Sequence, residues 1–267
     1  MPDPAPQTVS PAAPRPDVPA LEIQGLRKVY GETVAADDVF LTVPSGSLFG
    51  LVGPNGAGKT TTLSMAVGLL RPDAGSARVF GHDVWADPVK AKSLLGVLPD
   101  GLHLPLRLSG RDVLHYLGPM WGLDRETVAR RTEELLEVLD LSDAGRTLVV
   151  DYSTGMRKKL ALATAMLHAP KLLVLDEPFE SVDPVAAHTI RVILRRFTAG
   201  GGSVILSSHV MPLVESMCDH VGVISGGRVV ASGPLDEVRG TQSLDEAFVD
   251  LVGGRTGGEE GLAWLVS

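Results

Sequence analysis

Apolar and polar residues alternate over 21–29 and again over 33–43, with Gly31 between the two runs. A period of two is that of a strand with one buried face, so an antiparallel strand pair is predicted here. Leu48-Phe49-Gly50-Leu51-Val52, Leu172-Leu173-Val174-Leu175 and Val204-Ile205-Leu206 are instead continuously apolar, as parallel strands covered on both faces are. Further strands are predicted at 76–80, after a turn at Asp73-Ala74-Gly75, and at 94–98, ending at Pro99-Asp100-Gly101. Elsewhere the apolar spacing becomes helical, over 62–70, 109–121, 125–139, 157–168 and 183–198. Ser109 and Asp124 are placed as N-caps, and Leu160, Ala163 and Leu167 face a core. The sum is an α/β protein with an antiparallel β edge, a mixed central sheet and an inserted α-helical subdomain at about 102–168.

Composition adds boundaries. Of 19 prolines, seven lie in residues 1–20, which predicts an extended, disordered Pro/Ala-rich tail without the cationic start and apolar segment of a secretory signal. The folded domain is expected at 21–252 and a flexible glycine-rich tail at 253–267. No apolar run approaches the ~20 residues of a membrane-spanning helix. A net charge of −8 argues against broad nucleic-acid binding, so no nucleic-acid partner is expected. Cys218 is the only cysteine, which excludes an internal disulfide and a thiolate zinc cluster and fits a reducing, cytoplasmic location.

The chemistry concentrates in Gly53-Pro54-Asn55-Gly56-Ala57-Gly58-Lys59-Thr60-Thr61, a phosphate-binding loop between a predicted strand and a predicted helix. Its glycines let backbone N–H groups curl around a β-phosphate, and the helix N-terminus adds its positive end. Lys59 is placed to reach the β- and γ-phosphates and Thr60 to ligate Mg²⁺. A second signal is Asp176-Glu177 at the tip of a buried-type strand. Two adjacent acids there make sense if Asp176 orders the water shell of that Mg²⁺ and Glu177 polarises a water aimed at the γ-phosphate; solvated acids opening a helix are the alternative. His209 falls just past another buried strand, at the edge where such sheets place ligands. Tyr30 could stack on an adenine, or be no more than a strand-end tyrosine.

From about 21 to 252 this order of parts resembles the ATPase subunits of ATP-binding cassette (ABC) transporters. The residues that carry the resemblance are Tyr30, the phosphate loop 53–61, a loop at Asp100, a signature Tyr152-Ser153-Thr154-Gly155-Met156, the acid pair, Asp183 and His209. The resemblance implies a phosphate-loop NTPase fold, ATP and Mg²⁺, and two cassettes closing head to tail, a homodimer being favoured. Ser153 and the Gly155 N–H would then bind the γ-phosphate held by the partner, with Thr154 and Met156 completing the signature. Asp183 would lie by the dimer seam, Asp100 would meet Mg²⁺, Glu177 would be general base and His209 would contact the γ-phosphate. A separate membrane permease is implied, with the cassette on the cytoplasmic face of the cell membrane.

Three positions depart from the family pattern. Asp100 replaces a glutamine, the signature lacks its terminal amide, and Glu180-Ser181-Val182 puts a carboxylate near the expected seam. The variant signature is similar to that of bacterial exporters with separately encoded membrane proteins. The segment 243–252 resembles the C-terminal helix of drug, lipid or antibiotic self-resistance exporters, and equally any amphipathic terminal helix. Rival readings are a soluble cassette ATPase acting on DNA or ribosomes, and an importer subunit. A GTPase or a small-molecule kinase shares only the phosphate loop: the first is excluded in its Asn-Lys-x-Asp form, because the only asparagine, Asn55, lies inside that loop, and the second gives no reason for the signature helix.

Overall fold

The computed structural model describes residues 18–101 and 103–253. The alternating runs form β1 (Leu21–Tyr30) and β2 (Thr33–Val43), paired antiparallel with Tyr30 opposite Thr33. After β3 (Leu48–Val52) come β4 (Ala74–Val79) and β5 (His82–Asp83), which complete a four-stranded antiparallel sheet in the order β2-β1-β4-β5. Its inward residues include Leu21, Ile23, Leu26, Val39, Leu41 and Val79.

A second sheet has the order β10-β9-β3-β8-β7-β6, built with β6 (Leu95–Leu98), β7 (Leu172–Leu175), β8 (Ser203–Ser208), β9 (His220–Ser225) and β10 (Arg228–Pro234). All its pairings are parallel except β10 on β9, so the sheet is mixed. Every residue of β3, β7 and β8 is buried. Successive side chains go to opposite cores, which is why these strands read as unbroken apolar runs. Phe49, Leu51, Val174 and Ile205 join the core under the antiparallel sheet. Leu48, Val52, Leu173, Leu175 and Leu206 join a second core with the helices.

Helices α1 (Lys59–Ala66) and α2 (Pro88–Ser93) instead put Leu63, Met65, Ala66 and Ala91 into the core under the antiparallel sheet, while α3 (Gly110–Met120), α4 (Arg125–Val138), α5 (Thr154–Met166) and α6 (Pro184–Ala199) face the second core. Near the C-terminus lie α7 (Met211–Met217), α8 (Leu235–Arg239) and α9 (Leu244–Val252). Ser109 and Asp124 do cap α3 and α4, accepting from the N–H groups of Asp112 and Thr127. Val113, Leu114, Leu136 and Leu160 pack α3, α4 and α5 onto the second core.

Several bounds differ from the sequence reading. The helix predicted at 62–70 begins at Lys59, because Gly58 is its N-cap, and ends at Ala66, before Gly68 at φ +74°. The helix predicted from Arg157 begins at Thr154, because Ser153 caps it. Ala74 and Gly75 belong to β4, where a turn was predicted. Residues 18–20 already join the fold: Ala20 is buried and its N–H donates to Val43 O. Tail residues 1–17 and 254–267 lie outside the described residues. Among the described residues no helix is long and apolar enough to cross a membrane.

Candidate nucleotide site

Parallel strands bring their C-terminal ends to one edge of the sheet, and β6, β7, β8 and β3 are consecutive neighbours. The phosphate loop leaves β3, Asp100 follows β6, Asp176 and Glu177 follow β7, and His209 follows β8. A cleft of about 510 Å³ collects all of these except Asp176, which lies behind it against Leu63 and Ser64 of α1: the cleft is lined by Tyr30, Ala35, the loop from Asn55 to Thr61, Asp100, Glu177, Glu180 and His209. Residues up to 179 positions apart in the chain, Tyr30 and His209, thus face one space. Tyr30 is half exposed, with the Lys28 ammonium 5.7 Å from its ring centroid.

Within the loop, Gly58 has φ +102°, and a Cβ there would stand 2.4 Å from Ala35 O, so only glycine fits between the loop and β2. Gly58 is also an N-cap without a side chain to offer, and the first α1 bond goes from Thr62 N–H to Gly58 O. The N–H groups of the first turn are therefore available to an anion. Lys59 is buried, and its Nζ donates to Gly53 O at 2.8 Å and to Pro54 O at 3.2 Å. Glu177 Oε1 lies 3.4 Å from that ammonium and is buried without a hydrogen bond. A buried carboxylate oxygen left open toward a cationic loop fits a polar guest such as a water held against phosphate.

Asp176 is 4% exposed and accepts the Ser207 Oγ–H through Oδ1. His209 Nδ1–H donates to Glu177 Oε2 at 3.1 Å, which fixes the ring against the acid at the mouth of the cleft. Among the described residues no three His, Cys, Asp or Glu side chains cluster to hold a metal. The oxygen donors lining the cleft are the Thr60 hydroxyl and the Asp100 carboxylate, with the Asp176 carboxylate behind them at the end of β7. That set fits Mg²⁺, which takes one or two protein oxygens together with phosphate oxygens and water.

The signature residues sit elsewhere. Ser153 and Met156 line a different cleft, of about 410 Å³, with Asp140, Asp143, Lys159 and Asp183. Thr154 opens onto a groove with Asp100 and Arg157. Ser153 Oγ accepts the Met156 N–H at 3.2 Å. Gly155 is needed for close packing: a Cβ there would stand 2.7 Å from Asp183 Oδ2 and 3.0 Å from Ala186 Cβ. One chain therefore keeps Ser153, Met156 and Asp183 apart from the phosphate-loop cleft, while Thr154 lines a groove that adjoins it through Asp100 and Glu180, and Gly155 packs against Asp183.

Asp183 caps α6, its Oδ1 accepting from the N–H groups of Ala186 and Val185, both at 3.0 Å. The Ala186 N–H, then that of Val185, holds its carboxyl below the usual range. A lowered folded pKa means this cap stabilises the fold above the ordinary aspartate pKa and is lost as pH falls through the lower value. Asp183→Asn keeps a capping oxygen without the titration. The melting-temperature gap between wild type and variant is expected to hold from pH 7 down to the ordinary aspartate pKa of about 4 and to shrink below it; a gap unchanged below that pH would count against the cap's contribution.

Sequence reasoning missed Ser207. The strand before it was read, but only the parallel register, with Leu175 opposite Leu206, shows that Ser207 comes level with Asp176.

The fold and the cleft define a phosphate-loop nucleotide-binding protein with its acids on the strand beyond the one adjoining the loop strand. Residues 36–180 match the ABC transporter family. The chain is similar to the daunorubicin/doxorubicin resistance ATP-binding protein DrrA of Streptomyces peucetius, at 38% identity over 220 residues, 82% of this chain and 67% of that protein. It is also similar to the Nod factor export ATP-binding protein I of Cupriavidus pinatubonensis, at 39% identity over 213 residues, 80% of this chain and 66% of that protein. A solved ATP-binding subunit of an ABC transporter superimposes with a TM-score of 0.80 at 30% identity, covering 87% of this chain and 99% of that one. The chain belongs to the ABC transporter family and is one of its ATP-hydrolysing cassettes.

Proposed function

We propose that this chain hydrolyses Mg²⁺-ATP as one of two cassettes beneath a separately encoded membrane permease, and that it powers export. The observation that carries the reading is the separation of the two half-sites. The phosphate loop, Glu177 and His209 share one cleft while Ser153, Met156 and Asp183 line another, so a head-to-tail pair would complete each site from two chains. A homodimer is the simplest pair, since one chain holds both halves.

In this reading Tyr30 stacks on the adenine, and the N–H groups of residues 55–61 and the Lys59 ammonium hold the phosphates. Thr60, Asp176 and Asp100 hold Mg²⁺, which supplies charge neutralisation at the phosphates. Glu177 takes a proton from the attacking water, and His209 holds Glu177 Oε2 while reaching toward the γ-phosphate. Ser153, Thr154, Gly155 and Met156 present a helix N-terminus to the partner's nucleotide, excluding water as the pair closes. Names of relatives that refer to drug resistance and to export support the outward direction. A cassette with no spanning helix among its described residues would reach the cytoplasmic face of the membrane through its permease.

The test is affinity capture of the tagged chain from native membranes, with mass spectrometry of what accompanies it. A multi-helix membrane protein recovered in stoichiometric amount is the expected result. Recovery of ribosomal or DNA-bound proteins alone would replace this reading with a soluble cassette ATPase.

A further inference from the structure

We propose that Ser207 and Lys158 are positioning residues for the ATPase reaction, holding the Glu177 peptide from both ends so that its carboxylate faces the phosphate loop. The inference rests on the reading of Glu177 as the general base. Glu177 has φ +45°, in the left-handed region that glutamate seldom adopts. Such a conformation persists only where the surroundings over-determine it, and here the restraints are visible.

Ser207 is fully buried and uses one hydroxyl for two acids. Its Oγ–H donates to Asp176 Oδ1, and its oxygen accepts the Glu177 N–H at 2.9 Å. On the far side of the residue, Lys158 Nζ donates to Glu177 O at 2.9 Å. Lys158 belongs to α5, the helix whose N-terminus is Ser153. The helix offered to one nucleotide is therefore bonded to the base serving the other. Neither side chain lines the phosphate-loop cleft, so neither is placed to touch the nucleotide that Glu177 serves. Loss of Lys158 should disturb the aim of the carboxylate and leave nucleotide binding alone, and loss of Ser207 should disturb the same aim while also freeing Asp176 Oδ1.

The test is steady-state ATP hydrolysis by the full-length chain, with KM and kcat measured separately. Ser207→Thr and Ser207→Val have nearly the same shape and differ by a hydroxyl for a methyl. Thr is expected to keep kcat, and Val to lower it roughly 10-fold or more, with KM within about twofold. Lys158→Met is expected to lower kcat likewise and Lys158→Arg to restore it. Ser203→Ala is the fold control: Ser203 is another fully buried β8 serine, which accepts the Gly46 N–H at 2.8 Å, away from the acids. It should lower the melting temperature and spare kcat. In a Glu177→Gln background Lys158→Met should cost nothing more, because the group it aims is gone, whereas Ser207→Val still frees Asp176 Oδ1 and should keep a smaller cost. Equal kcat for Thr and Val, together with wild-type kcat for Lys158→Met, would overturn the proposal while leaving Glu177 in place. Full turnover by Glu177→Gln itself would instead overturn the reading on which it rests.

Discussion

Glu177→Gln is expected to cut ATP turnover by roughly 10²–10³-fold, within the range of general-base catalysis, while ATP affinity is kept. The two effects separate for a geometric reason. Lys59 keeps its bonds to Gly53 O and Pro54 O without Glu177, whose Oε1 meets the ammonium only at 3.4 Å and makes no hydrogen bond, so the loop's shape does not rest on the carboxylate. Glutamine fills the same space and can still accept from His209 Nδ1, but it cannot take up a proton from water. It also relieves the cleft of one negative charge beside Asp100 and Glu180, both of which line the same space. ATP binding should therefore be equal or tighter, and the closed pair should accumulate because the step that opens it is blocked. Light scattering after size exclusion, with Mg²⁺-ATP present, should show a dimer for the variant. Single-turnover hydrolysis at the wild-type rate would remove Glu177 from the role of base.

Lys59→Ala is expected to abolish useful ATP affinity. The ammonium is buried, bound to Gly53 O and Pro54 O, and 3.4 Å from Glu177 Oε1. On nucleotide binding its remaining donor capacity would turn to the phosphates. Hydrogen bonds to charged groups contribute about 1.5–3 kcal/mol each, so losing one weakens affinity roughly 10- to 100-fold, and losing two does so multiplicatively. Alanine also leaves an unneutralised acid at the phosphate position. Titration calorimetry with a non-hydrolysed ATP analogue measures this directly. Unchanged affinity would contradict the assignment of the loop, provided circular dichroism shows an intact fold.

Both substitutions were legible in the sequence, because their signals are local. A glycine-rich loop ending in Lys59-Thr60, and two acids after Leu172–Leu175, depend on neighbours in the chain. Strands buried on both faces were legible for the same reason. What sequence could not supply was register and relative placement. Ser207 acquires its role only when β8 lies parallel to β7, and Lys158 only when α5 lies against the end of that strand. The signature could be recognised, but its distance from the phosphate loop is a property of the fold. The β9–β10 hairpin is a different case. Two runs separated by Gly226-Gly227 carried a recognisable hairpin signal that went unread. It matters to the site, since Gly227 N–H donates to Ala57 O at 3.0 Å and so braces the phosphate loop from the side.

The departures from the family pattern also find a place. Asp100 and Glu180 both border the nucleotide cleft and the neighbouring groove that Thr154 and Arg157 line. Ser181 holds φ +57°, so the segment from Glu177 to Ser181 contains two non-glycine residues in the left-handed region.

The central claim is that each active site is assembled from two chains, and mixing two inactive variants tests it most directly. Lys59→Ala lacks a working loop and keeps its signature; Ser153→Arg keeps its loop and blocks its signature with bulk. Alone, each should form pairs without one intact site. Mixed, they form pairs in which the loop of the Ser153→Arg chain meets the signature of the Lys59→Ala chain. Turnover should then reappear on mixing, toward one intact site per mixed pair. Full activity of Ser153→Arg alone, or no recovery in mixtures shown to contain the mixed pair, would contradict a site shared between chains.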